Sequence, residues 1–444
     1  MKDIFKSYDV RGLFPSEINE EIAYKIGCCF VAHLNAGTIA VGRDMRMSGA
    51  QLSAAFVSGA TDSGADVVDI GMVSTDALYF SVGHYGYDGG VMITASHNSG
   101  PYNGMKFTGA EAMAISLETG LATIRDRIKT GTLPPKSAVK GNVVEKFVLN
   151  DFAVHCLKFI NPKPIKPFKI AIDAGNGMAG VVVPQVFQDL PCQIIPLYFE
   201  PNGNFPNHPA NPIEPYNMID LQAAVTKHGC DFGVAFDGDA DRMFLVDEQA
   251  NLVGGDIVTA LVSINTLSRN PSAKILYNLI CSRSVPEAIE KHGGIARRAP
   301  VGHSLIKKIM REEDICFGGE HSGHFYFKDN WYADSGIIAL LQCLEVFSQA
   351  DKPVSQVLAP LNRRFRSGEI NSTVDDALAK LEEIEASFRD AEIDHLDGLT
   401  ISYEHWWANI RLSNTEPLLR LNVEGDTDDL MKSGRDELLE LIRR

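Results

Sequence analysis

The sequence predicts an α/β protein: three similar α/β domains with mixed, mostly parallel sheets, followed by a smaller α+β domain. Strand and helix patterns alternate with one rhythm from Thr38 to Phe317. Each of three stretches closes on a buried strand that runs into a polar loop, and beyond residue 362 the pattern changes character. At 444 residues the chain also exceeds what one hydrophobic core organises. The breaks place the domains at residues 1–145, 146–253, 254–362 and 363–444.

In chain order, Tyr8-Asp9-Val10-Arg11-Gly12 reads as a charged turn ahead of any regular element. Thr38 to Gly42 reads as a strand, and Ala50 to Ser63 as a helix with Leu52, Ala55, Phe56 and Ala60 on one face. A strand from Asp66 to Ile70, a helix from Thr75 to Tyr85 and an apolar, partly β-branched strand from Gly89 to Thr94 complete a βαβαβ unit. Such a unit implies parallel strands with loops gathered at their carboxyl ends. The last strand stops at Ala95-Ser96-His97-Asn98, and Ser99 to Gly104 is dense in turn formers, so Ser96 is expected where a strand gives way to a tight loop. Lys106 opens the next apolar stretch and brings a cation back to that rim.

A second unit follows the proline-rich linker Asn161 to Pro167. It reads as a strand (Phe168 to Asp173), a helix (Ala179 to Asp189), a strand (Gln193 to Phe199), a helix (Tyr216 to Lys227) and a strand (Asp231 to Phe236), closed by a hairpin from Met243 to Val253. The third has a helix at Ile257 to Leu267, a strand at Ala273 to Leu279, a helix at Val285 to Lys291, a strand at Ile295 to Ala299, a helix at Ser304 to Arg311 and a strand at Ile315 to Phe317. Three copies of one layout suggest repetition of structure without repetition of residues. The tail carries a strand at Ile370 to Val374, a helix at Ala377 to Phe388, two strand signals and a helix at Asp429 to Ile442.

Composition narrows the function. With 45% hydrophobic and 22% charged residues the chain is folded, not disordered. No apolar run approaches a membrane span, and the first six residues have no signal-peptide core. The eight cysteines are scattered without a CxxC pair, as reduced thiols in a cytoplasm would be. A net charge of −16 argues against nucleic acid. A cytoplasmic protein with neither nucleic-acid nor membrane partner is expected.

Four loops carry chemistry. Asp237, Asp239 and Asp241 alternate beyond a buried strand. Three carboxylates this close repel one another unless a cation neutralises them, and Mg2+ suits such a set because it completes its shell with water or phosphate oxygens. An EF-hand is rejected: Glu248 falls at the twelfth position from Asp237, but the sixth, which needs glycine, is Arg242. Gly318 to His324 combines Glu320, His321, Ser322 and His324 with flexible glycines, a density of polar groups that suits sugar hydroxyls. Arg411-Leu412-Ser413-Asn414-Thr415, with Arg420 beyond, offers hydroxyl, amide and backbone donors plus two guanidiniums for a phosphate. In Gly302 to Lys307, Ser304 is a fair helix cap, while His303 and Lys307 are candidates to face a cleft.

Together these segments resemble the α-D-phosphohexomutase superfamily, in its phosphomannomutase/phosphoglucomutase branch, with the motifs in the family's order along nearly the whole chain. Thr94 to Asn98 resembles the phosphoserine loop, Asp237 to Arg242 the metal loop, Gly319 to His324 the sugar loop and Arg411 to Arg420 the phosphate loop, while Arg11 and Lys106 match the YDxRG and YNGxK segments. The resemblance implies four domains around a central cleft and reversible phosphoryl transfer between the 1- and 6-positions of a hexose phosphate, mannose or glucose. Ser96 would be the phosphoserine, with hexose 1,6-bisphosphate as intermediate and activator. Mg2+ would be held by Asp237, Asp239, Asp241 and a phosphoserine oxygen of Ser96. Arg11, Lys106 and Arg242 would offset charge on the transferring group, with Lys106, His97 and His303 the candidates for proton transfer. Glu320, Ser322, His324, Arg283, Lys307, Arg411, Ser413, Asn414, Thr415 and Arg420 would bind the substrate. Some members carry a lysine where this chain has Ile280, ahead of Cys281-Ser282-Arg283. A monomer or homodimer is expected.

Two enzymatic alternatives stand beside this one. In a phosphoglucosamine mutase, the amino-sugar enzymes usually carry glutamine at the position of His321. A metal-dependent sugar phosphatase would instead hydrolyse its phosphoserine. A sugar-phosphate sensor without activity fits poorly with an intact Ser96, triple aspartate and Lys106.

Overall fold

The computed structural model describes residues 4–412 and 418–444. Four sheets succeed one another along the chain. The first contains β1 (Val10–Leu13), β2 (Thr38–Arg43), β3 (Asp66–Met72), β4 (Gly89–Ile93), β5 (Tyr102–Gly109) and β6 (Val143–Glu145), in the order β1-β5-β4-β2-β3-β6. The second contains β7 (Lys169–Asp173), β8 (Gln193–Leu197), β9 (Phe232–Phe236), β10 (Met243–Asp247) and β11 (Leu252–Val253), in the order β11-β10-β9-β7-β8. The third, β12 (Lys274–Asn278), β13 (Ile295–Ala299), β14 (Phe317–Gly319), β15 (Phe325–Phe327) and β16 (Ala333–Asp334), runs β13-β12-β14-β15-β16.

These three sheets share a scheme. Each contains a run of three parallel strands (β3-β2-β4, β8-β7-β9, β13-β12-β14), which β6 extends to four in the first, and the last of the three in chain order turns back into an antiparallel neighbour (β5, β10, β15). The loop leaving β4, β9 or β14 is therefore one topological position used three times. It carries Ser96 in the first sheet, Asp237 to Arg242 in the second and Glu320 to His324 in the third. Parallel pairing fills one side of each sheet and antiparallel pairing the other, so the sheets are mixed.

The fourth sheet is antiparallel throughout: β17 (Phe365–Arg366), β18 (Ile370–Thr373), β19 (Glu392–Asp394), β20 (Leu399–Ser402), β21 (Trp406–Leu412) and β22 (Leu418–Gly425), backed by helices Ala377–Ser387 and Asp428–Arg443. It keeps a core of its own, around Ile384, Leu399, Ile401, Leu421 and Leu438. The other domains share one. Along β2 and β4, Ile39, Val41, Val91 and Ile93 face a core on one side of the first sheet. Ala40 and Met92 face the opposite side, where the core continues through Ile172 and Phe236 into Ile257, Phe317 and Leu340. That period-two split buries both faces of the strands, which is why they read as unbroken apolar runs.

Several expectations change. The Tyr8 to Gly12 segment is not a turn: Val10–Leu13 forms β1, with Arg11 opposite Gly104. Likewise Tyr102 to Gly104 belong to β5 and not to the preceding turn, because pairing with β1 on one side and β4 on the other outweighs the local preference of Asn and Gly. Helices Glu20–Leu34, Leu149–Leu157 and Gly336–Gln349 went unassigned in the sequence. The last is buried along most of its length and the first along the unbroken run Ile26 to Val31, which blurs the amphipathic stripe that marks a surface helix. The helix expected to run to Asp189 ends at Val186, and the one expected from Tyr216 opens as a 3-10 turn at Pro215–Met218 before Ile219–His228. The strand expected at Ile315 to Phe317 is Phe317–Gly319, so both glycines lie inside the sheet. All eight cysteines are unpaired. No helix among the described residues is long and apolar enough to cross a membrane.

Candidate active site

Ser96 leaves β4 in a left-handed conformation (φ 50°), rare for a residue with a side chain, and is buried. The guanidinium of Arg46 holds it there. Arg46 donates to the carbonyls of Ser96 (2.8 Å), Asn98 (2.6 Å), Ser99 (2.8 Å) and Tyr102 (2.8 Å), so one side chain ties the turn together from Ser96 to the start of β5. Asp44 fixes Arg46 at 3.1 Å and accepts from Thr94 Oγ1 at 2.7 Å, and Thr94 Oγ1 accepts the Ser96 amide at 2.9 Å. Asp44 and Arg46 are both buried. Replacing Arg46 with methionine leaves the buried Asp44 carboxylate without its ionic partner, and a stability loss of about 3 kcal/mol is expected, read as a lower urea midpoint.

The hydroxyl so positioned donates to Asp237 Oδ2 at 2.7 Å, with His97 Nδ1 at 3.3 Å and Arg242 Nη2 at 3.5 Å. Such proximity needs glycine at 238: a Cβ there would lie 2.4 Å from the Ser96 carbonyl oxygen. Arg11 joins from β1, donating to Asn98 Oδ1 at 2.5 Å. Burial, and then the charges of Arg242 and Arg11, hold the His97 imidazole well below its ordinary pKa and so neutral.

Asp237, Asp239 and Asp241 are fully buried, with ligand oxygens within 4.8 Å of one another. Lys106 Nζ bridges Asp239 Oδ2 (2.7 Å) and Asp241 Oδ2 (2.5 Å), while Arg242 Nε binds Asp237 Oδ2 at 2.9 Å. Three negative charges thus face two positive ones. Burial and the neighbouring Asp239 push the Asp241 carboxyl up to about 7. Burial works the same way on Asp239, yet Lys106 outweighs it and keeps that carboxyl well down. Asp239 Oδ1 and Asp241 Oδ1 are buried without any hydrogen-bond partner. A hard divalent cation answers both features, since it supplies the missing charge and takes the two orphaned oxygens. The donor set, all carboxylate oxygen, fits Mg2+.

The third loop meets the second directly: Arg242 and His324 form a β-bridge. His324 Nδ1 lies 2.8 Å from Asp334 Oδ2, and Lys307 Nζ lies 2.6 Å from Asp334 Oδ1. His303 stacks on His324 with ring centroids 6.1 Å apart and meets Tyr8 edge-on at 4.9 Å. Burial lowers the His303 imidazole, aided by Lys307. Burial opposes the charged form of His324 too, but the hydrogen bond to Asp334 and the charge of Asp241 override it and raise its pKa. Glu320 is buried and its carboxylate is already engaged by Tyr326 Oη and by Asn278 Nδ2, the latter at 3.0 Å, while Ser322 sits half-buried at the loop tip.

Ser96, His97, Arg11, Lys106, Arg242, the three aspartates, His303, Lys307 and His324 therefore form one connected cluster. Arg283 lies outside that cluster, where its Nη1 donates to the carbonyls of Tyr403 (2.9 Å) and Glu404 (3.1 Å) and joins the third domain to the fourth. Arg411 and Arg420 pair across β21 and β22 and share Glu369, at 2.5 and 3.1 Å. Their Nε atoms are buried and find no hydrogen-bond partner among the described residues, as an anion-binding pair would leave them. Ser413, Asn414 and Thr415 lie outside the described residues. His321 lines a small cavity with Arg366, Asn422 and Glu424 at the junction of the last two domains.

Sequence reasoning missed Arg46, Asp334, Tyr8 and Thr75. Arg46 had a usable signal, since it follows the carboxyl end of β2, where loops of a parallel sheet gather. Thr75 had none, because its contact with Asp239 spans 164 positions.

The chain matches the phosphoglucomutase/phosphomannomutase family in all four of its parts: alpha/beta/alpha domain I at residues 2–134, domain II at 149–254, domain III at 254–365 and the C-terminal domain at 369–441. It is 38% identical over 445 residues to the phosphohexose mutases of Xanthomonas campestris pv. campestris, covering 99% of each chain. To the phosphomannomutase of Escherichia coli K12 it is 39% identical over 448 residues, covering 99% of this chain and 98% of that one. A crystal structure of a phosphoglucomutase/phosphomannomutase family protein from Burkholderia thailandensis superposes with a TM-score of 0.91 at 31% identity, covering 99% of this chain and 97% of the other.

Proposed function

This chain belongs to the phosphoglucomutase/phosphomannomutase family of mutases, and from that premise we propose that it moves a phosphoryl group reversibly between the 1- and 6-positions of a hexose phosphate by way of Ser96. The observation that carries the reading is the buried Ser96 hydroxyl, 2.7 Å from Asp237 in a pocket that holds three carboxylates, Lys106 and Arg242. A hydroxyl so placed has a use for its strained backbone: it sits at the mouth of a preorganised charge array.

In the proposed cycle Ser96 carries a phosphoryl group. The free hydroxyl of the sugar attacks phosphorus and gives its proton to a neighbouring base, while the P–Oγ bond breaks and Ser96 Oγ, the leaving group, takes up a proton in turn. The product is a hexose 1,6-bisphosphate. It turns over within the site and returns its other phosphate to Ser96, so that atoms and charge balance over the cycle. His97, neutral and 3.3 Å from Oγ, is the base nearest the serine, while His303 and His324 line the sugar side. Lys106, clamped between two carboxylates, serves as a fixed cation. Arg242 and Arg11 bring further positive charge to the serine loop. Mg2+ held by Asp237, Asp239 and Asp241 would neutralise charge on the transferring phosphoryl group. Arg411 and Arg420 would take the phosphate that is not reacting.

Phosphorus NMR tests this directly. Purified protein given mannose 1-phosphate, magnesium and a trace of hexose 1,6-bisphosphate should convert the 1-phosphate to the 6-phosphate, and glucose 1-phosphate likewise. Free phosphate accumulating in excess of isomerised sugar would identify a phosphatase instead. Faster turnover of glucosamine 1-phosphate than of either plain hexose would move the assignment to the amino sugar.

A further inference from the structure

We propose that Thr75 is a positioning residue for the cation site: its hydroxyl pins one oxygen of Asp239 so that the other is presented to the metal. This rests on reading the three aspartates as that site.

Thr75 is fully buried and opens the helix Thr75–Tyr85 of the first domain, yet its partner lies in the second. Its Oγ1 donates to Asp239 Oδ2 at 2.5 Å, and its backbone amide donates to the Asp239 carbonyl at 3.0 Å. Lys106 Nζ reaches the same Oδ2 at 2.7 Å. Both donors thus crowd onto one oxygen, and Oδ1 is left buried with no hydrogen bond. The terminal torsion of an aspartate is broad and nearly two-fold, so a lone donor on a flexible stem fixes it poorly. Lys106 is such a donor, and it divides its ammonium between Asp239 and Asp241. Thr75 differs, because its side chain is short and its backbone is locked.

The lock comes from its neighbours. Asp76 accepts from Ser74 Oγ and, at 2.6 Å, from Ser335 Oγ, and Ser335 is the N-cap of helix Gly336–Gln349 in the third domain. The turn Ser74-Thr75-Asp76 is therefore bolted to the third domain on one side while Thr75 holds the second domain's metal loop on the other. A threonine hydroxyl also orients the carboxylate without adding charge, so it leaves the negative potential that draws a cation intact. Hydrogen bonds to a ligand from beyond the metal's own shell are commonly worth 10- to 100-fold in metal affinity.

The test compares wild type, Thr75→Val, Thr75→Ala and Thr75→Ser, with Mn2+ as the probe and free Mn2+ followed by electron paramagnetic resonance. The hydroxyl-less variants should bind Mn2+ about 10- to 100-fold more weakly, while Thr75→Ser stays within about threefold of wild type. In turnover assays the activating magnesium concentration should rise for Val and Ala, with kcat recovering at saturating metal. Unchanged Mn2+ affinity in a folded Val or Ala variant overturns the proposal, as does a Ser variant that fails as badly as Val. Loss of the fold in both hydroxyl-less variants would make the bond structural and overturn it too. If wild type itself binds no Mn2+, the cation reading falls and takes this inference with it. Equal binding by wild type and variants removes the inference alone.

Discussion

Ser96→Ala is expected to end turnover while leaving the fold in place. Incubated with a hexose 1,6-bisphosphate, the wild-type protein should gain the mass of one phosphate and the variant none. Isomerisation should fall by more than about four decades, because the substitution deletes the covalent acceptor. The structural side of the argument is as specific. Removing Oγ takes one donor from Asp237 Oδ2, but Arg242 Nε remains on that oxygen at 2.9 Å and the Arg242 amide on Oδ1 at 3.2 Å. No buried carboxylate is left alone, so stability should change by only about 1 kcal/mol. The Arg46 bonds to the loop all go to carbonyls and are untouched. A Ser96→Ala protein that still isomerised hexose phosphates at several per cent of the wild-type rate would place the nucleophile elsewhere.

The loops were easier to read than the elements that hold them, for a physical reason. Asp237, Asp239 and Asp241 are conspicuous because three adjacent like charges need a cause, and Ser96 because strand and turn signals collide beside it. Local sequence carries such signals. β1 and the first residues of β5 are strands by virtue of each other, with Arg11 facing Gly104, and nothing within a short window announces a partner more than ninety residues away. Helix Gly336–Gln349 was silent because burial around most of its surface removes the periodicity that reveals a helix, and in Glu20–Leu34 the unbroken buried run Ile26 to Val31 has the same effect. Arg283 was legible only in part: a basic residue after a strand resembles a ligand, and nothing local announces that its Nη1 donates to two carbonyls of the fourth domain. Arg46 does the same on the serine loop, with larger consequences for the chemistry.

Asp239→Ala should cost about three decades of magnesium-dependent turnover, the equivalent of about 4 kcal/mol of lost charge stabilisation. In the wild-type cluster three buried carboxylates oppose Lys106 and Arg242, which leaves one negative charge to attract a divalent ion. Without Asp239 the count is two against two and that attraction is gone. The second effect is geometric: one of the two orphaned oxygens, Asp239 Oδ1, disappears, and Lys106 is left to Asp241 alone. Asp239→Asn separates the two contributions. An amide oxygen can still accept from Thr75 and Lys106, so the loop should keep its shape and its unfolding midpoint. Its charge is lost, so turnover should stay near that of the alanine variant. Were the asparagine protein instead to recover most of the activity, shape rather than charge would be what Asp239 supplies. Were the alanine protein to turn over like wild type at the same magnesium concentration, the cation would have to sit on other ligands.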